Sequence, residues 1–168
     1  FETYLKLECG CQHNSAMKHM KSLKKVVNLA IARNYSSIDP FASYKITKKE
    51  VVRDVISCAE LDLLVNMKTN EEHLAVARDM FLFQCYTGFT YDDIKSLKKT
   101  DIQIGIDGNK MLVYQRNKSR KVYRTPMLPI PLSICKNYEH HPKCLRKNTL
   151  LPVPLNQNYN INIKVVAS

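Results

Sequence analysis

Side chains able to do chemistry gather in a few places along this chain. Arg116, Lys118, Arg120, Lys121 and Arg124 crowd one short stretch. Such a run has the chemistry of phosphate binding. Lys18, Lys21 and Lys25 recur at steps of three and four, so a helix would carry them on one face, where they could meet phosphates or simply be solvated. Cys9, Cys11 and His13 resemble half of a metal site, and His140, His141 and Cys144 could supply the rest. The spacing is not that of a standard zinc module and no C-x-x-C pair occurs, so no metal site is assigned. Scattered reduced thiols are the plainer reading, with Cys58 and Cys85 expected to be buried within apolar helical patterns.

The background charge agrees with a polyanionic partner. The 168 residues hold 26 Lys+Arg against 15 Asp+Glu, a formal net charge of +11. The excess is segregated: residues 1–55 carry +5, residues 56–109 carry −4, and residues 110–168 carry +10. Two basic regions flanking an acidic middle fit a protein that grips a phosphate backbone from two sides, with double-stranded DNA the first candidate. With 45% hydrophobic residues the chain can build a packed core, and wholesale disorder is excluded. No apolar run approaches the roughly 20 residues of a membrane span. No secretory leader opens the chain, so a cytoplasmic location is expected. Phe1 in place of an initiator Met leads to the expectation of an excised or processed piece.

Elements follow from periodicity. Residues 1–9 read as the end of a helix that Gly10 breaks. Asn14 or Ser15 is the expected cap of a second helix to about Asn34, with Ala16, Met20, Leu23, Val27, Ala30 and Ile31 on its core face. Residues 45–55 read as a linker. Ser57-Cys58-Ala59-Glu60 has the form of a capping box and should start a helix through Leu61, Leu64 and Val65. The next helix is expected from about Glu71 to Cys85, with Leu74, Ala77, Phe81 and Cys85 inward, Leu82 and Phe83 widening the stripe, and Gly88 as its stop. Thr90 is a natural cap for a short helix, and Asp93 suits its first turn. The period then drops to two: Ile102, Ile104 and Ile106 alternate with polar residues, Asp107-Gly108 signals a hairpin, Met111–Gln115 makes a second strand, and Val122 begins a third. Pro126, Pro129 and Pro131 end the ladder. Short helices are expected near Leu132–Tyr138 and at Asn156–Val166. The order is α+β: mostly helical, with a small three-stranded antiparallel sheet.

Several of these segments together resemble the tyrosine recombinases, or phage integrases. Thr87-Gly88-Phe89-Thr90-Tyr91-Asp92-Asp93-Ile94 resembles the family's T-G-hydrophobic-R-x-x-E/D-hydrophobic signature. Arg116-Asn117-Lys118-Ser119 resembles its R-x-K-T turn, Met127-Leu128-Pro129-Ile130-Pro131-Leu132 its exit from the third strand, and Met20–Phe41 the final helices of its core-binding domain. The nearest relatives are expected among integrases of bacterial mobile elements of the conjugative-transposon kind. The resemblance implies the C-terminal part of a helical core-binding domain over 1–44, a linker over 45–55, and the N-terminal half of a catalytic domain over 56–168.

The resemblance also implies a chemistry without a metal or other cofactor. A tyrosine attacks the scissile phosphate, arginines hold its oxygens, and a lysine protonates the leaving 5′ oxygen. Lys118 matches that lysine, Thr90 stands where the family has its first Arg, and Asp93 occupies the supporting acidic position. The chain stops before anything resembling the second Arg motif or the nucleophilic Tyr, so the expectation is a DNA-binding fragment that does not itself cleave. The partners implied are duplex DNA and further recombinase protomers, with a dimer or a rearranged last helix expected of the fragment, in a bacterial, nucleoid-associated setting. The competing expectations are a non-catalytic DNA-binding or regulatory protein derived from such an enzyme, and a zinc-binding adaptor.

Overall fold

The computed structural model describes residues 1–116 and 120–167. The chain divides into two compact units, Phe1–Val55 and the segment from Ile56 onward.

The first unit is a helical pair. α1 (Glu2–Leu7) ends before Gly10, whose φ of +62° is open to glycine without strain and turns the chain. α2 (His13–Ala32) follows. Its core side presents Ala16, Met17 and Met20 to Leu5 and Phe41. Leu23 and Val27 extend the stripe as partly buried neighbours. Gln12 takes the cap position, and not the expected Asn14 or Ser15. Asn14 makes tertiary bonds instead: its side-chain amide donates to the Lys49 carbonyl at 2.8 Å and accepts from the Lys49 amide at 2.9 Å. That two-point clamp ties residues 45–50, which form neither helix nor strand, to α2. Tyr44 closes the unit, its ring edge-on to Phe41 and its hydroxyl bonded to Glu2.

The second unit builds a sheet against helices. α3 (Cys58–Asn66) opens with the full Ser57–Glu60 capping box, as its sequence predicts. α4 (Glu72–Thr87) ends at Gly88 in the left-handed conformation. α5 (Tyr91–Ser96) leads through a 3-10 turn into β1 (Ile102–Ile104), β2 (Lys110–Gln115) and β3 (Val122–Pro126). These pair antiparallel in the order β1-β2-β3, with Ile102 opposite Leu112 and Tyr114 opposite Tyr123. α6 (Pro129–Asn137), α7 (Pro142–Lys147) and α8 (Asn156–Val166) complete the chain. Phe83, Met80, Ile94, Leu97, Leu112 and Leu151 are among its largest fully buried side chains.

Three expectations change here. α4 buries Ala77, Leu82 and Phe83 as expected, but also Val76, Met80 and Thr87, while Leu74 and Phe81 are half-buried and Cys85 is exposed. The helix is packed by α3, α6 and α8 together, so apolar residues occur around much of its girth and the period loses its phase. Cys58 is also exposed; the buried thiols are Cys135 and Cys144. Burial pushes the Cys135 thiol up to about 12, which makes it inert as a nucleophile. α6 begins three residues earlier than expected because Pro129 and Pro131 sit in its first turn, where a missing amide costs no bond.

α4 and α6 are joined by a buried carboxylate. Asp79 accepts from Arg78 at 2.7 and 2.8 Å and from the Tyr138 hydroxyl at 2.9 Å. Arg78 also reaches the Met67 carbonyl at the end of α3. Burial, and then Asp79, push the Tyr138 hydroxyl well above its ordinary pKa, so it stays a donor.

Candidate functional site

The site is assembled where the start of α5 meets the end of β2. Local sequence fixes the first half. Gly88 reverses the chain at φ +71°, and Thr90 then caps α5. The Thr90 hydroxyl donates to Asp93 Oδ2 at 2.7 Å and accepts from the Asp93 amide at 3.4 Å, while the Thr90 amide donates to the same carboxylate oxygen at 3.0 Å. This is a reciprocal capping box.

Strand alternation fixes the second half. Leu112 and Tyr114 are buried, so Arg116, two residues further, leaves β2 on the same face. Its guanidinium forks the Asp93 carboxylate, Nε to Oδ1 at 3.1 Å and Nη2 to Oδ2 at 2.7 Å. It also lies 4.6 Å from the Tyr123 ring centroid, with Nη1 at 3.5 Å from the hydroxyl. Tyr114 supports the same corner, its hydroxyl 2.8 Å from Ser96 Oγ and its ring edge-on to Phe89. Burial pushes the Asp93 carboxyl up, but the Thr90 hydroxyl and amide and the Arg116 guanidinium outweigh it and hold the group below its ordinary value. The pair with Asp93 raises Arg116 in turn, so the cation is permanent.

A guanidinium has five N–H donors. Among the described residues Asp93 and Tyr123 take three of them, and a phosphate can use the rest. The corner can therefore orient an oxyanion with a fixed, preorganised cation.

The remaining site candidates are placed as follows. Lys118 lies outside the described residues. Arg120, Lys121 and Arg124 are exposed on the hairpin. Arg124 pairs with Val113 and so projects from the sheet face opposite Leu112 and Tyr114. The turn is closed by the Arg120 carbonyl accepting from Gln115 Nε2 at 3.0 Å and the Arg120 amide donating to the Arg116 carbonyl at 2.8 Å, with Arg120 at φ +53°. Lys18, Lys21 and Lys25 are exposed on α2 of the first unit, on the side away from Ala16 and Met20. The structure thus joins Thr90, Asp93 and Arg116 directly. Tyr123 was not singled out by the sequence; its place opposite Tyr114, beside a cation two residues past that strand position, is the signal that points to it. Among the described residues no group of three or more His, Cys, Asp or Glu is placed to hold a metal ion, and no helix is long and apolar enough to cross a membrane.

Residues 1–46 match the family model of the phage integrase SAM-like domain. The match covers the whole helical pair and supports a relation to phage integrases, the tyrosine recombinases, and a recombinase-related function on DNA. No curated protein and no solved structure matches the chain.

Proposed function

We propose that this chain is the DNA-gripping part of a site-specific tyrosine recombinase of a bacterial mobile element. It spans the end of the core-binding domain and the first half of the catalytic domain. The observation that carries the reading is the Thr90–Asp93–Arg116 corner beside a basic hairpin, in a chain whose first 46 residues match an integrase SAM-like domain. Thr90 has no cation to offer, and its hydroxyl is engaged in the cap. Arg116, anchored by Asp93, brings a guanidinium to the same corner and holds a phosphate oxygen as charge develops. Lys118 gives its ammonium proton to the departing 5′ oxygen as the phosphorus–oxygen bond breaks. A tyrosine of the complete enzyme becomes the new ester partner. Lys18, Lys21 and Lys25, with Arg120, Lys121 and Arg124, contact the backbone without reading sequence.

The test has two arms. The 168-residue chain should retard duplex DNA at low salt and lose affinity steeply as salt rises. In the complete enzyme Lys118→Ala should slow cleavage by about a hundredfold or more while binding changes little, and a 5′-bridging phosphorothioate, whose sulfur leaves without a proton, should restore the rate. No retardation, or no rescue, defeats the reading.

A second reading keeps the DNA and drops the cleavage: a regulatory protein derived from such an enzyme. Thr90 at the position of the family's first Arg favours it. A reading frame that continues past Ser168 into a second Arg motif and a tyrosine decides for the enzyme, and a stop codon there decides for the regulator.

A further inference from the structure

The far end of the same sheet has a feature that the phosphate corner does not use. A trench of about 730 Å³ runs between β1 and α6. Its floor is apolar: Ile102, Ile104 and Leu132. Lys99, Lys110 and Lys136 stand around it, against a single acid, Glu139, whose backbone carbonyl accepts from Lys99 Nζ at 2.7 Å.

Register explains why the floor is open. Ile104 pairs with Lys110 and Ile102 with Leu112, so Ile104 belongs to the sheet face that carries the core. Yet Ile104 is 76% exposed while Leu112 is fully buried. The sheet runs on past α6, and its last core-facing position has no cover. β1 is also an edge strand, with no Pro and no charged residue among its three to discourage a further strand.

We propose that this trench receives an extended acidic–apolar segment of a partner protein, which adds as a fourth strand along β1. Main-chain bonds to the edge give affinity, and every second side chain of the segment faces the trench: the central ones are apolar and lie beside Ile102 and Ile104, and those at its ends are carboxylates that meet Lys99, Lys110 and Lys136. The charge of the rim selects an acidic occupant, and the apolar floor disfavours DNA, whose backbone has nothing to bury there. Three residues of β1 span about 10 Å, enough to pair with a segment of about five residues. The proposal stands apart from the phosphate corner, and Lys118→Ala leaves it untouched.

The test titrates the isotope-labelled 168-residue chain with a capped peptide about seven residues long, Glu-Thr-Val-Thr-Val-Thr-Glu, whose Glu and Val side chains share one face, and follows amide shifts by NMR. Saturable shifts confined to β1 and α6 are expected. The joint change Lys99→Glu, Lys110→Glu and Lys136→Glu should weaken binding at least about tenfold, as should Ser in place of each Val or N-methylation of the peptide backbone. Ile104→Asp, at an exposed position that tolerates it, should do the same and serves if the triple variant does not fold. The proposal is overturned by absent shifts, by shifts elsewhere, or by equal affinity for the Ser peptide. It is also overturned if duplex DNA moves the same amides, or if the chain alone shows these shifts with rising concentration, which would make a second copy the occupant.

Discussion

The core face of β2 ends in a cation at both extremities, and the two ends are finished in opposite ways. At one end Arg116 is forked by a carboxylate that is itself fixed by two groups of Thr90, and it is flanked by Tyr123. At the other, Lys110 stands exposed over a trench shared with Lys99 and Lys136. Four alternate residues, Lys110, Leu112 and Tyr114 of β2 and Arg116 just past its end, therefore pass from an open basic rim, through the core, to a preorganised cation. A held guanidinium has little entropy left to lose when an oxyanion binds, which suits transition-state contact. An exposed lysine rim suits attraction and specificity.

The comparison breaks first at its middle. Leu112 is fully buried between the two ends, and Leu112→Ala should cost about 2–5 kcal/mol in urea unfolding. Both ends should weaken together, because one sheet carries both. Loss of DNA binding with peptide binding intact would show that the ends do not depend on this shared core.

Next in size is Asp93→Asn. It leaves the Arg116 cation without its counter-charge and weakens the cap, for about 2 kcal/mol. DNA affinity should fall while the trench is unaffected. The pH dependence isolates the charge. Asp93 has its pKa depressed in the folded chain, chiefly by Thr90 and Arg116 acting against burial. The unfolded chain therefore takes up the proton at the higher pH. The stability gap between the parent and Asp93→Asn should be constant above the ordinary carboxylate range near pH 4, and should shrink as pH falls through the folded value. A gap that does not vary with pH would mean the carboxylate's charge contributes nothing.

Thr90→Ala is expected to be smaller, about 1 kcal/mol, the usual cost of losing a hydroxyl cap. Thr90→Ser should restore most of it. If Thr90→Ala instead abolished DNA binding at unchanged stability, the hydroxyl would be a phosphate ligand and the Arg116 corner would not be the anion site.

Which of these contacts the sequence discloses depends on their range. The two capping boxes, Ser57–Glu60 and Thr90–Asp93, are complete within four residues each, and the structure forms both. Gly88 and Gly108 sit at positive φ where the chain must turn, and the hairpin order follows from alternation. The Asp93–Arg116 fork joins residues 23 positions apart, and nothing local in either segment announces it. α7 is six residues long, too short for a period to emerge; its marks are Pro142 in its first turn and the left-handed Asn148 after it. Asn14 reads as a cap because its type favours caps, but tertiary bonds to Lys49 outcompete that role.

The smallest expected effect is the sharpest probe of the open end. Ile104 lies on the core side of the sheet by register, two residues from the half-buried Ile102, yet most of its surface meets solvent. Folding removes little of its apolar area from water, so Ile104→Ser should change stability by less than about 0.5 kcal/mol. The same change to a small polar side chain at Leu112 would be severe, although the two side chains face the same way. Urea unfolding of the Ile104→Ser chain checks this directly. A loss above about 1 kcal/mol would mean that the side chain is covered in the folded chain. The sheet would then be as closed at its Lys110 end as at its Arg116 end, and the asymmetry of β2 would vanish. A small loss in the free chain together with a large loss of peptide affinity is the outcome that an unfilled strand-pairing edge requires, because the residue is then buried only when the segment arrives.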